Sequence, residues 1–240
     1  MRILDIRGWT SHRTEYVLKR LRLQVLRIIA DLDYEIKDEA SRLAIEYSVN
    51  FGAFDSYSYS YGWIPSNTRH AVVVVDYDIQ CQWYPDEPLP KKVEELTVIF
   101  KPRDNPYDSV EVLGPELTFM KLFGSYVLSE ITRVKITLVG MLNVPLELLG
   151  LDPDQISSLN FRADGRRRTR KSIVRRILSK TAKECRGDND EATTVAAVRD
   201  NISFMTMENY QHGVGDEMFA LTTMPSVRSG DMLAEMPSID

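Results

Sequence analysis

Catalysis and metal binding draw on few side-chain types, and here they are sparse: His12, His70 and His212, Cys81 and Cys185, and the carboxylates Asp76 and Asp78. No histidine lies at a metal-ligand spacing from another histidine or from a cysteine. Asp76 and Asp78 stand two apart in an extended segment and share one face, where paired carboxylates can hold Mg²⁺ or pass a proton. On the polar face of an exposed strand the same pair is simply solvated. Neither a glycine-rich phosphate loop nor a nucleophile elbow occurs. The expectation is a non-enzymatic protein with no cofactor and no metal.

The concentrated chemistry is electrostatic. Residues 162–186 hold eleven Lys and Arg against Asp164 and Glu184, a balance of +9. Residues 187–240 hold Arg199 and Arg228 against ten acidic residues, a balance of −8, inside a chain whose net charge is only −5. Within the basic segment Arg166, Arg167, Arg168, Arg170 and Lys171 form a dense run. Ile173, Val174, Ile177 and Leu178 follow at helical spacing, flanked by Arg175, Arg176, Lys180 and Lys183, which predicts a basic amphipathic helix. Its cations can release counterions from RNA phosphates or sit in the negative potential of a lipid leaflet. The apolar stripe would then enter lipid or a partner's groove. The run also fits a nuclear import signal, or a segment that only neutralises the acidic tail.

A second binding feature is the segment Tyr57-Ser58-Tyr59-Ser60-Tyr61-Gly62-Trp63, in which every second side chain is aromatic. If extended, it carries Tyr57, Tyr59, Tyr61 and Trp63 on one face, able to stack nucleic-acid bases or to pack on the core.

The elements that must position these residues follow from hydrophobic periodicity. Val17, Leu18, Leu21, Val25, Ile28, Ile29 and Leu32 predict a helix over Thr14–Ile36. Alternation predicts strands at Leu43–Phe51, Tyr57–Trp63, His70–Trp83 and Ile131–Val139, with further strands at Leu96–Phe100, Val110–Leu113 and Leu117–Phe123. Met141–Leu149 is apolar but interrupted by Pro145, and Asp152 with Pro153 starts a short helix. One helix followed by many strands predicts an α+β core, mostly antiparallel and sandwich-like, over residues 1–161 with no internal repeat. After it come the basic amphipathic segment at 162–186 and an acidic tail at 187–240 that is largely flexible. Six of the nine methionines lie in that tail, the composition of a segment that binds another protein.

Two cysteines in 240 residues fit a reducing compartment. Asp5 and Arg7 interrupt any apolar leader. The longest uncharged apolar runs, such as Ala71–Val75 and Leu138–Pro145, fall far short of the ~20 residues of a membrane span. An intracellular protein, in the cytoplasm or nucleus, is expected.

The order of elements carries a resemblance. A helix at Thr14–Ile36 and a hydrophobic element at Leu43–Phe51 precede Ala71-Val-Val-Val-Val-Asp-Tyr-Asp-Ile-Gln-Cys-Gln-Trp83. The Pro- and Glu-rich loop Tyr84–Pro90 then leads to Glu94–Phe100. This layout, over residues 14–140, resembles rhabdovirus-type matrix proteins. It implies a structural protein that condenses a nucleocapsid and binds the inner membrane leaflet, with self-association. The PPxY-like motif of those proteins does not occur here and the basic cluster lies toward the other end, so no functional residue carries over. The residues alone leave an alternative of another class: a nucleic-acid-binding regulator or viral transport (movement) protein, whose aromatic face stacks bases while its arginines hold phosphates.

Overall fold

The Ala71-Val72-Val73-Val74-Val75 run is buried along its whole length, which requires protein on both faces of the strand that contains it. In the computed structural model that strand lies near the centre of a parallel sheet. The structure describes residues 3–6, 25–28, 45–51, 64–76, 89–101, 127–149, 151, 153–159, 169–186 and 191–223. The strands are β1 (Ile3–Ile6), β2 (Val25–Ile28), β3 (Tyr47–Phe51), β4 (His70–Asp76), β5 (Glu95–Lys101), β6 (Lys135–Val139) and β7 (Ile202–Met205). They form one seven-stranded sheet in the order β1-β2-β3-β4-β5-β6-β7, with every pairing parallel.

Each strand is added on the same side as the one before. Ile3, Val25, Tyr47, His70, Glu95 and Lys135 are successive register partners, so the chain returns after 22, 22, 23, 25 and 40 residues. Over the first four returns the spacing is nearly constant, and with one-directional winding that is the habit of a solenoid, in which each repeat buries its face only by stacking on its neighbours.

Five helices are described: α1 (Pro153–Leu159), α2 (Arg170–Arg186), α3 (Glu191–Asn201), α4 (Met207–Val214) and α5 (Asp216–Thr223). Two cores lie on opposite faces of the sheet. One joins Ala71, Val73, Val75, Leu96, Val98, Phe100, Ile136, Leu138 and Ile202 to Ile173, Val174, Ile177, Leu178 and Ala182 of α2 and Val198 of α3. The other joins Val49, Val72, Val74, Ile99 and Val139 to Tyr210 of α4, with Met207, Met218 and Phe219 packed against it. Gly140 ends β6 with φ 74°, and its N–H donates to the Met205 carbonyl at 3.0 Å, tying the end of β6 to β7.

This architecture corrects several expectations. The antiparallel, sandwich-like core is replaced by an all-parallel α/β sheet. Alternation in Leu43–Phe51 and His70–Trp83 suggested one solvated face, but Ser48, Val72 and Val74 on that other face are buried too. Returns of 22 residues or more are far longer than hairpin turns and suit parallel crossovers. The helix expected over Thr14–Ile36 holds a strand at Val25–Ile28 instead; its other residues lie outside those described. A short apolar run reads alike as helix or strand, and pairing with β1 and β3 decides it.

The core does not end near Phe161. The basic segment supplies α2 to it, and residues 191–223 of the expected flexible tail form α3, β7, α4 and α5. The tail's methionines Met207 and Met218 pack inward on the sheet. Of Ile131–Val139 only Lys135–Val139 is strand, Ile131 sitting in the turn before it. Met141–Leu149 forms two 3₁₀ turns, Met141–Asn143 and Glu147–Leu149. The expected strands at Tyr57–Trp63, Val110–Leu113 and Leu117–Phe123 lie outside the described residues.

Candidate interaction site

Helix α2 is where the predicted basic segment enters the structure. Thr169 precedes it and accepts from the Ser172 N–H at 3.3 Å, satisfying one of the free donors of the first turn. The apolar stripe lies in the core: Ile173 and Leu178 are 2% and 0% exposed, and Val174 and Ile177 are buried beside them. The stripe is therefore occupied within this chain, and no lipid or partner groove is needed to cover it. The opposite side of α2 carries the exposed Arg170, Lys171, Arg176, Lys180 and Lys183, with Arg175 half-buried between them.

These cations have different employments. Arg170 donates to the Val144 carbonyl and so pins the start of α2 to the segment after β6. Lys180 faces Glu184 at 3.8 Å, an exposed i,i+4 pair of little energetic weight. Lys171 and Arg175 instead converge on one ring: Nζ of Lys171 lies 5.9 Å and Cζ of Arg175 5.7 Å from the Phe204 centroid on β7. The Nε–H of Arg175 is buried and, among the described residues, has no hydrogen-bond acceptor. An unsatisfied donor of this kind costs roughly 1–3 kcal/mol until an acceptor reaches it.

Two further cations arrive from other elements. Lys135 opens β6, and Arg199 lies in the last turn of α3, directly before β7. Arg199 Nε donates to Asp200 Oδ1 at 2.8 Å. That hydrogen bond raises the arginine's pKa and lowers the aspartate's, so both stay charged and Arg199 is partly neutralised. The start of β7 is fixed by Asn201, whose side chain donates to the Ile131 carbonyl at 2.8 Å. Among the described residues, Lys135, Lys171, Arg175 and Arg199 line a cleft of about 450 Å³ at the β7 end of the sheet, together with Glu95 and Asp200.

A polar ladder leads across the strands to this cleft. Tyr47 stacks on His70 with ring centroids 4.7 Å apart, and His70 Nδ1 lies 3.2 Å from Glu95 Oε2. Lys135 is the next register partner of Glu95. In the row beside it Thr137 and Ser203 share a hydrogen bond at 3.0 Å. His70 is thus absorbed into a cross-strand row, and His212 is exposed on α4. Among the described residues no group of three or more His, Cys, Asp or Glu could hold a metal ion. No described helix is long and apolar enough to cross a membrane.

Of the residues expected to bind an anionic partner, the structure brings Lys171 and Arg175 together and leaves Arg176, Lys180 and Lys183 along the outer side of α2. Arg166, Arg167 and Arg168 lie outside the described residues, as do Tyr57, Tyr59, Tyr61 and Trp63, the expected stacking face. His12, Asp78 and Cys81 are outside them as well. Sequence reasoning missed Lys135, Arg199 and Phe204. They are scattered over β6, α3 and β7, and only the pairing of β7 with β6 makes them neighbours.

Fold and site together define a singly wound, all-parallel α/β scaffold with a cationic cleft beside its last strand, β7. No family model matches the chain, and neither a curated protein nor a solved structure does.

Proposed function

We propose that this protein is a non-enzymatic interaction module that captures an anionic partner in the cleft beside β7. One observation carries the reading: cations from three separate elements, Lys135, Lys171 with Arg175, and Arg199, meet around one cleft in a chain that is acidic overall. A protein of net charge −5 repels a polyanion at long range, so attraction must come from a local concentration of this kind. The guanidinium of Arg175, which lines the cleft, adds charge-assisted donors to this group. An intracellular setting is part of this proposal, because two cysteines in 240 residues fit a reducing compartment.

A matrix-like role at an anionic membrane would have to rest on charge alone, because Ile173, Val174, Ile177 and Leu178 are in the core. That weakens the lipid reading, since a surface helix of this type needs its apolar face to anchor. An RNA or nucleocapsid partner needs no such face and remains a charge-driven alternative. The test is a titration of the purified chain with poly-glutamate, a single-stranded RNA and anionic liposomes at two salt concentrations. Saturable binding to at least one, weakening as salt rises, supports the proposal. The absence of binding to all three at low salt overturns it.

A further inference from the structure

We infer that the anionic partner is an extended acidic peptide that adds to the sheet as a further strand on β7; this rests on the cationic cleft being the binding site. β7 is last in the strand order and, among the described residues, is paired only with β6. In an extended strand the N–H and C=O of one residue point to the same edge, and the next residue's point to the other. The Met205 carbonyl accepts from Gly140 beyond the end of β6, so Met205, and Ser203 two residues before it, direct their backbone groups toward β6. The N–H and C=O of Phe204 therefore point away from the sheet.

An open edge of this kind is a template for strand addition, which supplies main-chain affinity without side-chain specificity. Specificity comes from what surrounds it. Lys171 and Arg175 bracket the Phe204 ring, and Lys135 and Arg199 lie toward the start of the strand. An acidic strand would bring carboxylates to cations on alternate residues while its backbone pairs with Phe204. A lysine-rich strand would meet the same cations and be repelled. That asymmetry also guards the edge: a second copy of β7 would arrive with its own Lys171 and Arg175, which disfavours edge-to-edge pairing of the protein with itself.

The experiment uses the full chain and a fluorescent peptide of about eight residues alternating Glu and Val, long enough to pair along one edge. Its controls are the same peptide N-methylated on alternate backbone nitrogens and a version with Lys for Glu. The protein variants are Phe204→Pro, which removes the outward N–H together with the ring and suits an edge strand, and Phe204→Leu, which removes the ring alone and keeps that N–H. The expected result is binding of the acidic peptide to wild type and Phe204→Leu. N-methylation, or Phe204→Pro with its far-ultraviolet spectrum unchanged, should weaken it about tenfold or more, the scale of one or two lost hydrogen bonds. Equal binding by the N-methylated peptide overturns strand addition, and needs no protein variant to fold. If poly-glutamate or RNA binds while the alternating peptide does not, strand addition falls and the anionic-partner reading stands. If none of these binds, both fall.

Discussion

Truncating Leu178 to alanine tests whether the stripe on α2 is core or a free binding face. Leu178 is 0% exposed and lies in the cluster that joins α2 to β4, β5 and β6. Removing its side chain there deletes buried methyl groups and leaves a cavity, at a cost of about 2–5 kcal/mol. A domain has only about 5–15 kcal/mol of stability, so the loss should be plain. With a urea slope near 3 kcal/mol/M, the unfolding midpoint should fall by about 0.7–1.7 M. The control is Arg176→Ala on the exposed side of the same helix, expected within about 0.5 kcal/mol of wild type. Both would be followed by far-ultraviolet circular dichroism and by tryptophan fluorescence. If Leu178→Ala unfolds at the same urea concentration as Arg176→Ala, the stripe is not packed in the core. Ile173, Val174, Ile177 and Leu178 would then be free to enter lipid.

Other substitutions test other parts of the fold. At Gly140, with φ 74°, an added Cβ would press into the Phe100 carbonyl oxygen, so Gly140→Ala should cost about 2 kcal/mol or more, read as a lowered denaturation midpoint. Gly213 in α4 has open space around it, and Gly213→Ala should instead stabilise by up to about 1 kcal/mol in the same assay. Burial pushes the Tyr210 phenol above its ordinary pKa of 10.0, against a smaller opposing effect from its hydrogen bond with Thr222. A group whose folded pKa is raised gives stability that is complete below its unfolded pKa and is lost as pH rises through the folded one. Stability should therefore decline above about pH 10. Tyr210→Phe should flatten that decline in alkaline denaturation curves; an unchanged slope would contradict it.

Local signals read well wherever they did not depend on distant partners. The helix after Pro153, the strand cores at His70 and Leu96, and the helical spacing of Ile173, Val174, Ile177 and Leu178 are all visible in the chain. What one sequence could not display was which strand lies beside which. Val25–Ile28 is too short for its period to separate helix from strand, and its pairing partners are 22 residues away on either side. The run Ala71–Val75 did carry the signature of a strand buried on both faces. Reading it through the alternation that follows, from Asp76 to Trp83, turned it into a one-sided strand and the fold into a sandwich. The recurring return of 22 to 25 residues leaves only a faint mark in residue identity: Leu4 and Ile6 recur as Leu26 and Ile28, but Ile3, Val25, Tyr47, His70 and Glu95, which the return also aligns, have no one side-chain type in common.

The candidate site was half legible for the same reason. A linear charge count found Lys171 and Arg175 but weighted them equally with Lys180, whose neighbour is Glu184. It could not find Lys135, 36 residues before Lys171, or Phe204, which earns its place only because Asn201 anchors the start of β7 beside β6. Acidic composition after residue 187 pointed to a solvated tail. In the structure, Tyr210, Met207, Met218 and Phe219 cover the second face of the sheet, and the exposed acids ride on the outside of that cover.

The most direct test of the central claim neutralises the cleft and leaves the rest of the charge in place. Wild type and the Lys135→Ala, Lys171→Ala, Arg175→Ala triple variant would be titrated with poly-glutamate at several salt concentrations, beside a Lys180→Ala, Lys183→Ala control. The account predicts that the triple variant loses about tenfold or more in affinity. Its plot of log affinity against log salt should flatten by roughly two to three contacts, while the control stays close to wild type. Equal affinity and equal slope for wild type and the triple variant would show that the cleft beside β7 is not where the anion binds.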